Sequence, residues 1–184
     1  DLKVLECDEK GEAKEVDLAR PPTVRSLLTH TSGLSYDFLE DYPVAELYRQ
    51  AGILNNAERT LEELVHELSR LPLAFQPDSN WHYSLGIDVA ARLIEIISGQ
   101  ALEQFLKENI FDPLGMVDTG FSVDPEEQHR IVAMYGLPDL CSPKMTMSKL
   151  FDAWSSGFNE RIDVSATYPA SKSVAFARGG HGLF

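Results

Sequence analysis

The stretch from Ser84 to Gly99 is the strongest helical signal in the sequence. Its apolar residues recur at helical spacing, at positions 87, 90, 91, 93, 94 and 97. Ser84 is a candidate N-cap, and Gly99 is a candidate stop signal. Because apolar residues occupy more than one side of this helix, we expect it to be buried between neighbouring elements.

Length and composition agree with a folded domain built around such a helix. The chain has 184 residues, of which 43% are hydrophobic and 24% are charged, so it can bury a core of its own. Acidic residues outnumber basic residues 29 to 16, and the net charge is -13. This surplus repels phosphate backbones and anionic membranes, and no apolar run is long enough for a membrane span. We therefore expect neither a nucleic-acid partner nor a membrane span.

The remainder of the chain predicts a hairpin followed by short helices. Residues 2–7 and 13–18 flank a polar segment and predict two paired strands. Helix starts are predicted at Thr23, Pro43 and Thr60, and Thr60 with Glu63 forms a capping-box pattern. Later in the chain, a helix is predicted over 102–110, and strands over 130–135 and 174–176.

Cysteine and histidine usage favours neither a disulfide framework nor a metal site. Cys7 and Cys141 are too few and too far apart in sequence, and the five histidines lack ligand spacing. The chain begins at Asp1 without Met or an apolar leader, so we expect its N-terminus not to be native. The compartment, cytoplasmic or periplasmic/secreted, therefore stays open, as does the oligomeric state.

Five short motifs follow one another in the middle of the chain. They read LLTHTSGL at 27–34, WHYSLG at 81–86, DVAARLIE at 88–95, PLGM at 113–116 and DTGF at 118–121. In this order and spacing they resemble the serine β-lactamase-related family. That family includes class C β-lactamases, penicillin-binding-protein-like D-amino-acid peptidases, carboxylesterases and acyltransferases.

The resemblance is close over residues 21–121 and implies both a fold and a chemistry. The implied fold is α/β (α+β), β-lactamase/transpeptidase-like, with this portion mostly helical and flanked by antiparallel strands. The implied chemistry is acyl transfer by an S-x-x-K serine, with a Y-x-N tyrosine relaying protons. A late K-T-G or H-x-G strand supplies part of the pocket and an oxyanion-hole amide. No cofactor is needed for these steps.

Tyr83 matches the family tyrosine and is the candidate catalytic residue of the chain. Leu85 stands where the family has the asparagine of Y-x-N, and Leu85 and Trp81 are the candidate substrate-binding residues. The lost asparagine argues against a classical β-lactamase and favours the esterase and peptidase branches. For Trp81 two interpretations stay open, because it either lines the pocket beside Tyr83 or only anchors the helix.

The nucleophile motif is missing from the 184 residues. No serine has a lysine three positions later, and neither K-T/S-G nor H-x-G occurs. We therefore expect residues 1–184 to be one partial β-lactamase-like domain that lacks the upstream S-x-x-K and the downstream K-T-G/H-x-G segments. The complete protein would be a serine hydrolase acting on a small-molecule ester, amide or peptide through an acyl-enzyme. The alternative is a non-catalytic homologue that serves as a binding or assembly module.

Four polar residues near the motifs have structural interpretations. We expect Ser32 to satisfy loop amides rather than to act as a nucleophile, since no general base is placed beside it. His30 is expected to be packed and hydrogen-bonded, so that it stabilises the turn. Asp88 and Glu95 are expected to serve helix capping and to face solvent.

Overall fold

The computed structural model describes residues 2–8, 10, 12–54, 59–136, 146–156, 160–162, 177–180 and 183. Helices predominate in this part of the chain, and two small antiparallel sheets accompany them. The elements in chain order are β1 (Lys3–Cys7), β2 (Ala13–Asp17), α1 (Val24–Leu28), α2 (Val44–Gln50), α3 (Leu61–Leu68), α4 (Gly86–Ser98), α5 (Leu102–Leu106), β3 (Met134–Gly136), α6 (Met147–Ser156) and β4 (Glu160–Ile162). None of the described helices has the length and hydropathy needed to cross a bilayer.

The predicted N-terminal hairpin is confirmed. Strands β1 and β2 pair antiparallel, with Lys3 opposite Asp17 and Cys7 opposite Ala13. The other edge of β1 contacts Leu73, whose N–H donates to the Lys3 carbonyl and whose carbonyl accepts from the Leu5 N–H, both at 2.8 Å. The hairpin thereby holds the backbone that leads into residues 74–86.

Two of the predicted helix starts carry complete capping boxes. At α1 the Thr23 side chain accepts a hydrogen bond from the Ser26 N–H, and the Ser26 side chain accepts one from the Thr23 N–H. Thr60 and Glu63 make the same reciprocal pair at α3. Both boxes satisfy N–H groups that have no partner inside the helix, and so they set where the helices begin.

Helix α4 ends at Gly99 as predicted, with Gly99 as its left-handed C-cap, but it begins one residue later than predicted. Its N-cap is Leu85 rather than Ser84, although the Ser84 hydroxyl accepts from the Gly86 N–H at 3.4 Å. The helix contacts α1, α3 and α5. Its last turn leaves those neighbours, and Ile97 is 83% exposed. The prediction of burial on more than one side is therefore wrong for the C-terminal turn.

The core lies between the helices and the segment that follows β1. Its buried hydrophobic side chains include Val4, Leu27, Leu34, Leu39, Val44, Tyr48, Ile53, Leu64, Leu73, Leu85 and Leu102. Full burial raises the pKa of the Tyr48 phenol well above its usual range. These residues come from well-separated motifs, so a single core fixes the relative positions of the motifs.

The region beyond residue 122 is only partly as predicted. The expected strand over 130–135 is shorter and later, because residues Gln128–Arg130 form a 3-10 turn and pairing with β4 begins at Met134. Arg130 in that turn donates to Asp118 and Glu127 instead of joining a sheet. The predicted strand at 174–176 and Cys141 lie outside the described residues.

Candidate active site

Tyr83 lies in the short extended segment that leads into α4. Its side chain is half-buried, and its ring packs between those of His30 and Tyr36, with centroid distances of 5.0 and 5.1 Å. Within the described residues, no hydrogen bond to the Tyr83 hydroxyl is present. The ring is therefore held by packing on two sides while its oxygen keeps its full hydrogen-bonding capacity.

The structure brings the two strongest motifs into direct contact. The His82 N–H donates to the His30 carbonyl at 2.9 Å, and the Asp78 N–H donates to the Thr31 carbonyl at 2.7 Å. The Thr31 hydroxyl also donates to the Asp78 carboxylate at 2.9 Å. The turn after α1 and the segment before α4 thus form one unit.

Gly33 shapes the turn that carries His30. Its φ of +87° is a backbone conformation that residues with a side chain rarely adopt. A Cβ added to Gly33 would also lie 2.3 Å from the Phe75 carbonyl oxygen. The Ala74 N–H donates to the Gly33 carbonyl at 2.6 Å. The close approach of these two backbones therefore requires glycine at this position.

His30 connects the turn to both aromatic candidates. Its Nδ1 lies 3.2 Å from the Ser84 hydroxyl oxygen, next to Tyr83 in the chain. The Trp81 ring packs edge-on against His30, with a centroid distance of 6.3 Å, and Trp81 is 48% exposed. The expectation of a packed, hydrogen-bonded His30 agrees with these contacts. Trp81 lies on the open side of the site, where its contact with substrate stays a prediction.

Leu85, the other substrate-binding candidate, is buried. Its side chain has 0% exposure and belongs to the core, and its backbone is the N-cap of α4. Tyr83 and Leu85 therefore face different environments although they are only two residues apart. The prediction that Leu85 contacts substrate stays untested, and the described structure gives its side chain no accessible surface.

A buried serine–histidine pair lies behind the candidate site, and no sequence pattern indicated it. The Ser35 hydroxyl oxygen lies 2.9 Å from the His82 Nε2 and 3.2 Å from the Tyr36 carbonyl oxygen, within hydrogen-bond distance of both. The edge of the Tyr42 ring packs on His82 at 5.0 Å. Because Ser35 is fully buried, this pair supports the loop and presents no nucleophile to a substrate.

Asp88 is buried, contrary to the expectation that it faces solvent, whereas Glu95 caps a helix as expected. Asp88 is completely buried rather than solvent-facing, and it accepts from the Gly180 N–H at 3.3 Å. Glu95 accepts from the Leu102 N–H at the start of α5 and pairs with Arg92. The burial of Asp88 depends on a segment 92 residues away, which helix periodicity cannot reveal.

Ser32 behaves as a structural residue. The Leu34 N–H donates to the Ser32 hydroxyl at 3.4 Å, and Ser32 is buried, so this hydroxyl serves a loop amide as expected. Across the described ranges, no three His, Cys, Asp or Glu side chains come together in a group that could hold a metal ion.

Stability should fall when the protein is acidified below about pH 6.5. Burial lowers the pKa of both His30 and His82 from the ordinary value of 6.5. The unfolded chain therefore binds more protons than the folded chain just below pH 6.5, so stability is full above this pH and is lost on acidification. Thermal melts between pH 7.5 and 5 measure this slope.

A matched pair of variants measures the contribution of His82 to that slope. His82→Gln should reduce the slope and leave the contribution of His30, whereas His66→Gln, at an exposed position of α3, serves as the control and should leave the slope unchanged. The range ends at pH 5 because burial raises the pKa of Asp37 above 3.8. At lower pH the folded chain binds this proton more readily than the unfolded chain, so protonation of Asp37 stabilises the fold and opposes the effect of the histidines. A melting temperature that is constant or rises between pH 7.5 and 5 would contradict the prediction.

The chain is similar to esterases and acyltransferases. It is 44% identical over 103 residues to "Lovastatin esterase" of Penicillium rubens, a match that covers 56% of this chain and 25% of that protein. Among solved structures it is similar to "Simvastatin Synthase (LOVD), from Aspergillus Terreus, LovD6 mutant", with 31% identity and a TM-score of 0.64. It is also similar to "EstCE1, a hydrolase with promiscuous acyltransferase activity", with 25% identity and a TM-score of 0.66.

These matches differ in how much of each protein they cover. The two structural matches cover 100% and 96% of this chain but only 38% and 44% of the solved chains. The chain thus spans about a quarter of the curated esterase and less than half of the solved relatives. The two structural matches confirm the expected β-lactamase/transpeptidase-like fold. The family model described as Beta-lactamase matches residues 14–178, and the chain therefore belongs to the β-lactamase family.

Proposed function

We propose that this chain carries the proton-relaying tyrosine of a serine hydrolase that acts on esters or amides through an acyl-enzyme. The observation that carries the proposal is the setting of Tyr83. Its ring is fixed between His30 and Tyr36, and its hydroxyl keeps its hydrogen-bonding capacity within the described residues. The similarity to an esterase and to a hydrolase with acyltransferase activity supports the same chemistry.

In this mechanism the Tyr83 oxygen moves a proton twice. As a serine oxygen bonds to the substrate carbonyl carbon, the serine proton passes to the Tyr83 oxygen. When the tetrahedral intermediate collapses, Tyr83 returns that proton to the leaving alcohol or amine. A phenolate needs a neighbouring cation near neutral pH, and the lysine of S-x-x-K would supply it.

We propose further that residues 1–184 are one part of a β-lactamase-like domain, and that the nucleophile lies outside them. The support is that no S-x-x-K, K-T-G or H-x-G occurs in the 184 residues, while the relatives are longer. Trp81 would then contact a small-molecule ester, amide or peptide beside Tyr83, since it is half-exposed and packs on His30.

A fluorophosphonate probe tests the proposal. The 184-residue chain alone should form no covalent adduct, because none of its serines has a lysine three positions later, and the described serines that lie beside a histidine, Ser35 and Ser84, are buried. In the intact protein the probe should modify one serine, in an S-x-x-K sequence, as located by peptide mass spectrometry. Heat-denatured protein serves as the control for nonspecific labelling.

Two outcomes would contradict this proposal. Stoichiometric labelling of Ser32 or of another serine among the 184 residues would overturn the assignment of the nucleophile. An intact protein that stays unlabelled and does not hydrolyse a chromogenic ester would favour a non-catalytic binding module.

A further inference from the structure

Asp88 is a buried carboxylate for which the proposed mechanism has no use. It lies on the first turn of α4, five residues after Tyr83, and has no exposed surface. Aspartate is almost never fully buried unless it is partnered, because an isolated charge is costly to remove from water. The residues that face Asp88 therefore indicate its role.

The segment from Arg178 to Gly180 lies against this carboxylate. The Gly180 N–H donates to the Asp88 Oδ1 at 3.3 Å, and the Arg178 guanidinium donates to the Arg59 carbonyl at 2.9 Å. Burial lowers the pKa of Arg178, and the negative charge of Asp88 opposes this shift. Asp88 therefore holds the segment through a hydrogen bond and through charge.

The two glycines allow this segment to lie directly on α4. A Cβ on Gly179 would lie 2.4 Å from the Ile87 carbonyl oxygen and 2.7 Å from the Ala91 Cβ. A Cβ on Gly180 would lie 2.8 Å from the Asp88 Oδ2. Such distances leave no space for a side chain, so the backbone of the segment packs on the helix without a gap.

Tyr36 connects the segment to the candidate site. A Cβ added to Gly180 would lie 3.4 Å from the Tyr36 hydroxyl oxygen, so this hydroxyl is close to the segment. The Tyr36 ring packs against Tyr83 with a centroid distance of 5.1 Å. Gly180 is thus hydrogen-bonded to Asp88 and lies near the Tyr36 hydroxyl, and the Tyr36 ring contacts Tyr83. A displacement of the segment would reach the Tyr83 ring through Tyr36.

We propose that Asp88 is a positioning residue that holds the Gly179–Gly180 segment against Tyr36 and thereby sets the orientation of the Tyr83 ring. Its catalytic consequence rests on the proposed function, but the positioning itself does not. A misplaced catalytic group can cost on the order of 100-fold in rate, so loss of Asp88 should lower kcat and leave KM nearly unchanged.

The test uses the intact protein with 3-fluorotyrosine incorporated at position 83. Asp88→Ala should change the 19F chemical shift of that ring and lower kcat for a chromogenic ester. Asp88→Asn keeps an oxygen that accepts from the Gly180 N–H, and it should recover most of both properties. Thr60→Ala, which removes the N-cap of α3, is the control for a general loss of stability and should leave the 19F shift unchanged.

The outcomes separate this proposal from the proposed function. If Asp88→Ala folds and keeps the parental 19F shift, the positioning role is overturned. If Asp88→Ala does not fold, Gly180→Ala displaces the segment instead, because its Cβ would lie 2.8 Å from the Asp88 Oδ2. An unchanged 19F shift in that variant also overturns the positioning role. If Tyr83→Phe keeps parental kcat, the proposed function fails, while the 19F shift still decides the role of Asp88.

Discussion

Replacing Tyr83 with Phe should lower kcat for ester hydrolysis by the intact protein on the order of 100- to 10,000-fold. The substitution keeps the ring that packs between His30 and Tyr36 and removes only the oxygen. That oxygen makes no hydrogen bond within the described residues, so folding should lose little. KM should change much less than kcat, because proton transfer stabilises the transition state rather than the bound substrate.

Tyr42→Phe is the matched control for this experiment. Tyr42 is also half-buried and packs on His82 and Phe75, and its hydroxyl accepts from the Asn80 side chain at 2.6 Å. Its loss should cost about 0.5–1.5 kcal/mol of stability and leave kcat near the parental value. Steady-state kinetics with thermal melts for both variants make the comparison. Near-parental kcat in Tyr83→Phe would show that the tyrosine has only a packing role.

Gly86→Ala should destabilise the protein by about 3 kcal/mol, which is the upper range for overpacking. A Cβ at this position would lie 2.4 Å from the Leu27 carbonyl oxygen, where α1 meets the start of α4. The Leu27 carbonyl is part of the α1 backbone, and the Cβ would be bonded directly to the α4 backbone. The clash is therefore relieved only by moving one helix away from the other. The melting temperature should fall by roughly 6–12 °C for a chain of this size.

Gly120→Ala is the control for that substitution. Its nearest neighbour would be the Ser122 carbonyl oxygen at 3.7 Å, which is ordinary contact, so the melting temperature should change little. The Gly86→Ala variant should also lose esterase activity in the intact protein, since the Tyr83 segment runs directly into the displaced end of α4. A Gly86→Ala protein with the parental melting temperature would show that α1 and α4 are not packed this closely.

Local patterns predicted the features that depend on neighbours in sequence. The predicted cap at Thr23 and the predicted capping box at Thr60 join residues three positions apart, and the β1–β2 hairpin pairs strands that are close in sequence. Such contacts form wherever the local residues permit them, so the sequence is sufficient to place them. The burial predicted for the last turn of α4 was wrong, because apolar spacing alone does not say how far the neighbouring helices extend.

The candidate site was only partly accessible to prediction. Tyr83 was named from its motif, whereas its contact with the His30 ring became visible only in the structure. The Ser35–His82 hydrogen bond was missed because its partners are 47 residues apart, and neither residue forms a recognisable pattern with the other. Leu85 was assigned from its motif position, although the structure buries its side chain in the core.

Residue types and short spacings were enough to predict the family motifs, the helix starts at Thr23, Pro43 and Thr60, the hairpin and the identity of the candidate catalytic tyrosine. These depend on residue type and short spacing, which are written directly in the chain. Which polar groups are buried and which side chains are in contact depends instead on how distant segments pack together. Asp88 shows the reason, because its carboxylate is stabilised by the Gly180 N–H and the Arg178 charge, about 90 residues away in sequence. Burial is a property of the packed chain, since a group loses water only when distant segments close over it.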